Sequence, residues 1–179
     1  MAEAFINQVN RAVGIVTSSS NASIGIGLTW MSGISTAHVA IHDIVDNANF
    51  IAGTKVTQVG VSSVQLDRAS TNTVAATASN VSFLGPTTSY SSASATKSIL
   101  IGGTFANNTA NSVNLTVTVY DNTAAVESQL ASKIPVPTGS SFVISDAGKT
   151  VLEGDDELRV YCDVENAIDV NLSILKGVS

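Results

Sequence analysis

The chain has 179 residues, of which 12% are charged, 44% hydrophobic and 5% aromatic, and its formal net charge is −6. That composition is too apolar for disorder, and the acidic balance disfavours direct binding to nucleic acid, which needs clustered Lys and Arg. With one Cys and two His there is no disulfide framework and no structural zinc set; no apolar run reaches the roughly 20 residues of a membrane-spanning helix, and Met1-Ala2-Glu3-Ala4 lacks the basic and apolar regions of a secretory signal.

In chain order, Phe5, Ile6, Val9 and Val13 recur near a 3.6-residue period, which predicts a helix over Ala4–Val13. At about ten residues it is marginal alone, and residues 1–20 read as an N-terminal docking arm. Beyond Ile15 the pattern is one of short alternating runs bounded by Gly, Asn, Ser and Asp, the signature of strands and hairpins. Ile24, Ile26, Leu28 and Trp30 fall on one face of an expected strand, with Gly25 and Gly27 opposite.

Residues 21–84 read as a small β domain. Its expected strands are Ile41–Val45, Thr54–Val61, Val64–Leu66 and Val81–Leu84, with turns at Gly53 and Gly60, since glycine takes positive φ without cost. Residues 85–94, Gly85-Pro86-Thr87-Thr88-Ser89-Tyr90-Ser91-Ser92-Ala93-Ser94, are breaker-rich and lack an apolar period, which predicts a linker.

Residues 95–179 carry the clearest strands. Val113, Leu115, Val117 and Val119 alternate with polar residues, as do Leu158, Val160, Cys162 and Val164, and Ile168, Val170, Leu172 and Ile174. Strands with one apolar and one polar face, separated by turns at Asn107-Asn108, Asp121-Asn122, Gly139, Gly148, Gly154-Asp155-Asp156 and Asn166, predict an antiparallel β-sandwich of jelly-roll or Ig-like type. Pro135 and Pro137 belong at a strand edge, because proline cannot donate to a ladder. The fold class is therefore all-β: a short arm, a small β unit, then the sandwich.

The candidate chemistry is thin. His38 and His42 are four apart; on a strand that is about 13 Å, too far to share one metal. The acidic run Glu153-Gly154-Asp155-Asp156-Glu157 does not follow the spacing of a calcium loop, and a tight polar hairpin explains it. Cys162, in phase with Leu158 and Val160, reads as a buried thiol. No nucleophile elbow is present, and the glycines at 25, 27, 102 and 103 do not lead into helices, as a phosphate loop requires. We expect no catalytic residue, no metal and no cofactor. Charge is uneven as well: residues 1–120 hold four acids and four bases, so the net −6 lies wholly in residues 121–179. A neutral first part that faces neighbouring subunits and an acidic second part that faces solvent is the expectation.

Lys97-Ser98-Ile99-Leu100-Ile101-Gly102-Gly103-Thr104-Phe105-Ala106-Asn107-Asn108-Thr109, Lys133–Ser141 and Thr150-Val151-Leu152-Glu153-Gly154-Asp155-Asp156-Glu157-Leu158-Arg159-Val160 resemble a β-module of tailed-bacteriophage virion proteins, with Asn166–Val170 and Leu172–Leu175 resembling its last strand. Ser32–Thr36 followed by Ala52–Val56 is similar to a second small module of phage structural proteins, particularly those of contractile-tailed cyanophages. His42 stands where that module commonly has a turn glycine. The resemblance implies a non-enzymatic virion component, assembled in the host cytoplasm: a head decoration or accessory protein on the capsid lattice, or alternatively a neck or tail accessory protein. The implied partners are major capsid or neck/tail subunits and further copies of the chain, with neither nucleic acid nor membrane. A carbohydrate or host-surface binding module is the other alternative. The candidate assembly contacts are Phe5, Ile6, Val9, Val13 and Trp30.

Overall fold

A computed structural model describes residues 3–145 and 149–178. It contains fifteen strands: β1 Ala4–Asn10, β2 Ile15–Ile24, β3 Trp30–Ser32, β4 Ile44–Asp46, β5 Val56–Val59, β6 Ser63–Leu66, β7 Ala76–Leu84, β8 Thr87–Ser91, β9 Lys97–Asn107, β10 Val113–Asp121, β11 Val126–Val136, β12 Ser141–Ile144, β13 Thr150–Leu152, β14 Glu157–Cys162 and β15 Ile168–Val178. All pairings are antiparallel. The all-β expectation holds. The expected turn at Gly148 lies outside the described residues.

The chain divides into two compact units, one of residues 1–13, 86–162 and 166–179, the other of residues 14–85 and 163–165. In the first, one sheet has the order β1-β15-β9-β12 with β13 also on β9, and the other the order β11-β10-β14-β8. Counting β12 and β13 as one interrupted strand gives eight strands. In chain order one sheet then reads first, eighth, third, sixth, and the other second, seventh, fourth, fifth. That all-antiparallel order is a jelly roll. Leu100, Phe105, Leu172 and Ile174 from one sheet and Leu115, Val117, Leu158, Val160 and Cys162 from the other are buried, as a filling between two sheets requires. Tyr90 Oη and Ser98 Oγ, 2.8 Å apart, tie β8 of one sheet to β9 of the other.

Residues 14–85 thus form an insert between the first and second strands of the jelly roll. Its sheet runs β4-β7-β2-β3-β6-β5. Val45 N donates to Thr54 O at 2.8 Å, Val56 N donates to Asp43 O at 2.9 Å, and Ile44 bridges Lys55. These bonds join the two sheet edges, so the sheet closes into a small barrel, which removes its exposed edges. Ile24, Met31, Val45, Val56, Val64, Leu66, Val81 and Phe83 fill it. Gly85 N donates to Gly14 O at 2.9 Å, holding the two ends of the insert together.

Several expectations are corrected. Ala4–Asn10 is a strand, because Phe5, Ile6 and Val9 fit a two-residue period through β15 as readily as a helical one, and seven residues gain more from a ladder than from an isolated helix. The arm of residues 1–20 does not exist as a unit: residues 4–10 are the first jelly-roll strand, and 15–20 already belong to β2 of the barrel. The linker of residues 85–94 holds β8, an edge strand in which hydroxyl side chains replace an apolar period. Similarly, Ile24–Trp30 is a hairpin: β2 ends at Ile24, a turn passes through Ile26 and Gly27, and β3 begins at Trp30. Gly53 takes φ +79, whereas Gly60 keeps an ordinary φ. Pro135 does lie on the edge strand β11.

Candidate functional site

The two outer faces of the jelly roll differ in chemistry. On the β1-β15-β9-β12/β13 sheet, register places Phe5 opposite Leu175, Leu175 opposite Ile99, and Ile99 opposite Val151. The row is apolar across the full width of the sheet. Its ends are open to solvent, Phe5 at 77% and Val151 at 52% exposure. A second row runs Val9, Asn171, Thr104, Val143, again with exposed apolar ends. Asn7 and Ser173 lie between the rows. The only charged residues in these five strands are Lys97, Asp169 and Lys176, all near strand ends. Lys97 is paired with Glu153 at 3.0 Å, and Asp169 with Arg11 at 3.7 Å.

The opposite sheet is polar. Arg159 Nε donates to Glu157 Oε2 at 2.8 Å, and its guanidinium stacks 3.9 Å over the Tyr120 ring. Thr88 Oγ1 donates to the same carboxylate oxygen at 2.6 Å, and Thr118 Oγ1 donates to Glu127 at 2.5 Å. Partial burial raises the Glu157 pKa, but the Thr88 and Arg159 hydrogen bonds and the Arg159 charge outweigh it, so the carboxyl lies below its ordinary range. The strands of this sheet hold Asp121, Glu127 and Glu157 against Lys133 and Arg159, so most of the net −6 lies outside it.

Among the expected contacts, Phe5 and Val9 share this outer face. Ile6 turns inward, lining a cleft of about 200 Å³ with Tyr90, Ser98 and Lys176. Val13 is buried, its N donating to Ile168 O at 3.3 Å. Period two separates residues that period 3.6 would have grouped. Trp30 belongs to the barrel and is 44% exposed, because its neighbour Met31 takes the core position. Sequence reasoning missed Ile99, Leu175, Val143 and Val151: of their strands only β15 is legible by its inward face, β9 and β13 enter through the resemblance alone, and β12 has no signal of its own. The available signal was the shortage of charge on both faces of Lys97–Asn107.

The remaining candidates lie apart from this face. Asp156 is buried; its Oδ1 accepts from Asn122 N at 3.0 Å and its Oδ2 from Glu153 N at 2.9 Å, so the acidic run is a tied turn. Cys162 is buried. His38 and His42 are exposed, with φ of +64 and +80. A positive φ is one that glycine takes without cost and a residue with a side chain seldom adopts. Asp43 is buried and accepts from Ala40 N at 2.8 Å. Burial, opposed by that bond, pushes its pKa up. A depression of about 540 Å³ in the barrel unit is lined by Ser18, Ser19, Ser20, Asn80, Val81, Ser82 and Glu165, where Ser82 Oγ donates to Glu165 Oε2. Among the described residues no group of three His, Cys, Asp or Glu side chains is placed to hold a metal. Comparison with known proteins finds no family model, curated protein or solved structure that matches the chain.

Proposed function

We propose that this chain is a non-enzymatic structural subunit of a phage virion, a head decoration or accessory protein that docks through the outer face of the β1-β15-β9-β12/β13 sheet. The observation that carries the reading is the apolar row Phe5–Leu175–Ile99–Val151 on a face with charge only at its margins. Contiguous exposed apolar surface marks a site of association. The jelly roll is also a fold of viral coat proteins, but it serves lectins too, so fold supports the reading only by analogy.

Magnitudes say what kind of docking this is. Strand spacing and rise give the face roughly 450 Å², below the roughly 800 Å² each partner buries in a stable interface. One copy alone therefore holds weakly, and a repeated lattice engaging many linked copies holds through avidity.

The test is co-sedimentation with purified particles. Val143→Asp and Val151→Asp, at exposed positions, should abolish particle binding while leaving the far-ultraviolet spectrum intact. Undiminished binding by the double variant would overturn the assignment of this face, and an image reconstruction that puts the chain on the neck or tail would move its station.

The exposure of Trp30 favours a second reading, a carbohydrate or host-surface module using the barrel. On the polar sheet Tyr120 is less suited to sugar, since Arg159 already covers its ring. A glycan array whose signal is lost in Trp30→Ala would establish that reading instead.

A further inference from the structure

Among the described residues β1 is an edge strand: its ladder runs to β15 on one side only. Natural edges are guarded by lysine, proline, bulges or short length. This one has none of these over Ala4–Asn10, seven residues of AFINQVN in unbroken register. Its two flanks are charged with opposite sign, Glu3 before it and Arg11 after it; Arg11 is 83% exposed and lies 3.7 Å from Asp169 through Nε alone, which leaves its other guanidinium donors for a second carboxylate.

We propose that this edge pairs with the same edge of a second copy, antiparallel and centred on Asn7, to join two jelly rolls through one continuous sheet. The register follows from the sequence. With Asn7 opposite Asn7 on the two-fold axis, Phe5 meets Val9, Ile6 meets Gln8, Ala4 meets Asn10, and Glu3 meets Arg11. The outward side is complementary, apolar with apolar and acid with base at each end, twice per dimer, around amide with amide at the centre; on the inward side Ile6 and Ala4 each meet an amide. Shifting the register by one residue would put the outward Phe5 and Val9 against inward-facing partners. A parallel pairing in register would set Glu3 against Glu3 and Arg11 against Arg11. Charge thus selects the partner as this chain and the orientation as antiparallel. The proposal concerns the free protein and does not depend on the virion reading, which particle binding tests.

The experiment has two arms on the full chain. Sedimentation equilibrium should show a monomer–dimer equilibrium. Glu3→Arg should raise its dissociation constant about tenfold, from two lost exposed ion pairs and the repulsion that replaces them, and adding Arg11→Glu should lower it again, though not fully, because the new carboxylate faces Asp169. In the second arm, Asn7→Cys places thiols at directly opposed positions, within the Cα separation a disulfide accepts, and mild oxidation should give a covalent dimer. Ser141→Cys, on the far strand β12, should not. The native Cys162 is buried and does not compete. A monomer at every concentration, a dimer indifferent to the charge swap, or equal cross-linking through Ser141→Cys would overturn the proposal.

Discussion

The side-chain amide of Asn107 donates to the carbonyl oxygen of Val136 at 2.9 Å. The same nitrogen donates to Asn111 O at 2.7 Å and Pro137 O at 3.2 Å, while Asn107 Oδ1 accepts from Thr109 N and Thr109 Oγ1, both at 2.8 Å. One buried side chain at the end of β9 thereby holds the loop into β10 and the end of β11, so it couples the two sheets. Asn107→Ala should cost about 3 kcal/mol, since it strands several buried carbonyls and a donor at once. Urea unfolding should show a lower midpoint at unchanged slope. Asn107→Asp should be at least as damaging, because a carboxylate cannot donate to three carbonyls.

Gly85 is the residue against which Asp43 packs. A Cβ there would lie 2.3 Å from Asp43 Oδ1, on a buried side chain with little room to retreat. Gly85→Ala should lower the stability of the barrel unit by about 2 kcal/mol, read by the fluorescence of Trp30, the chain's single tryptophan.

The two shifted carboxyls give pH dependences of opposite sign. Asp43 has a raised pKa in the folded state, so its contribution is fullest below the unfolded value of about 4 and is lost as pH rises through the folded value. Glu157 has a lowered one, so its contribution is present above the unfolded value of about 4.3 and is lost as pH falls through the folded value. Trp30 fluorescence should therefore report a barrel that gains stability from Asp43 on mild acidification, an effect absent in Asp43→Asn. Near-ultraviolet signals of Tyr120 and Tyr161 should report the opposite trend, absent in Glu157→Gln. Equal slopes in wild type and variant would contradict either assignment.

His42 holds φ +80, a conformation that costs a side-chain-bearing residue about 1–2 kcal/mol. His42→Gly relieves that strain but adds freedom to the unfolded chain, so it should leave the melting temperature unchanged or slightly raised. His42→Val, with a branched Cβ in the left-handed region, should lower stability by more than about 1 kcal/mol. Thermal melts of the two variants check the ordering.

How far the sequence disclosed this molecule depends on which face of each strand carried information. β10, β14 and β15 were legible because an apolar inner face alternates with a polar outer one. β1 was misread because Phe5, Ile6 and Val9 satisfy both periods, and only its partner in β15 decides between them. β8 was invisible because Thr87-Thr88-Ser89-Tyr90-Ser91 offers hydroxyls to an edge, where no apolar side chain is needed. The candidate face was half legible: Phe5 and Val9 were named, but Val143 and Val151 join them only through a register that no local pattern encodes. Removing residues 1–14 would therefore take a ladder out of the jelly roll and would not cleanly test docking, which is why outward substitutions are the better probe.

The pairing of the first strand with the last also sets an order of events during synthesis. Ala4 lies opposite Lys176, so β1 leaves the ribosome long before its partner exists. The barrel of residues 14–85, whose ends meet at Gly14 and Gly85, draws on nearby chain and can form early; the jelly roll closes only when β15 arrives. Until then β1 has neither edge covered. Nascent chains crowded on one message would meet through that strand first, and the time until β15 is free to pair with it would govern how much of the product is lost to premature association.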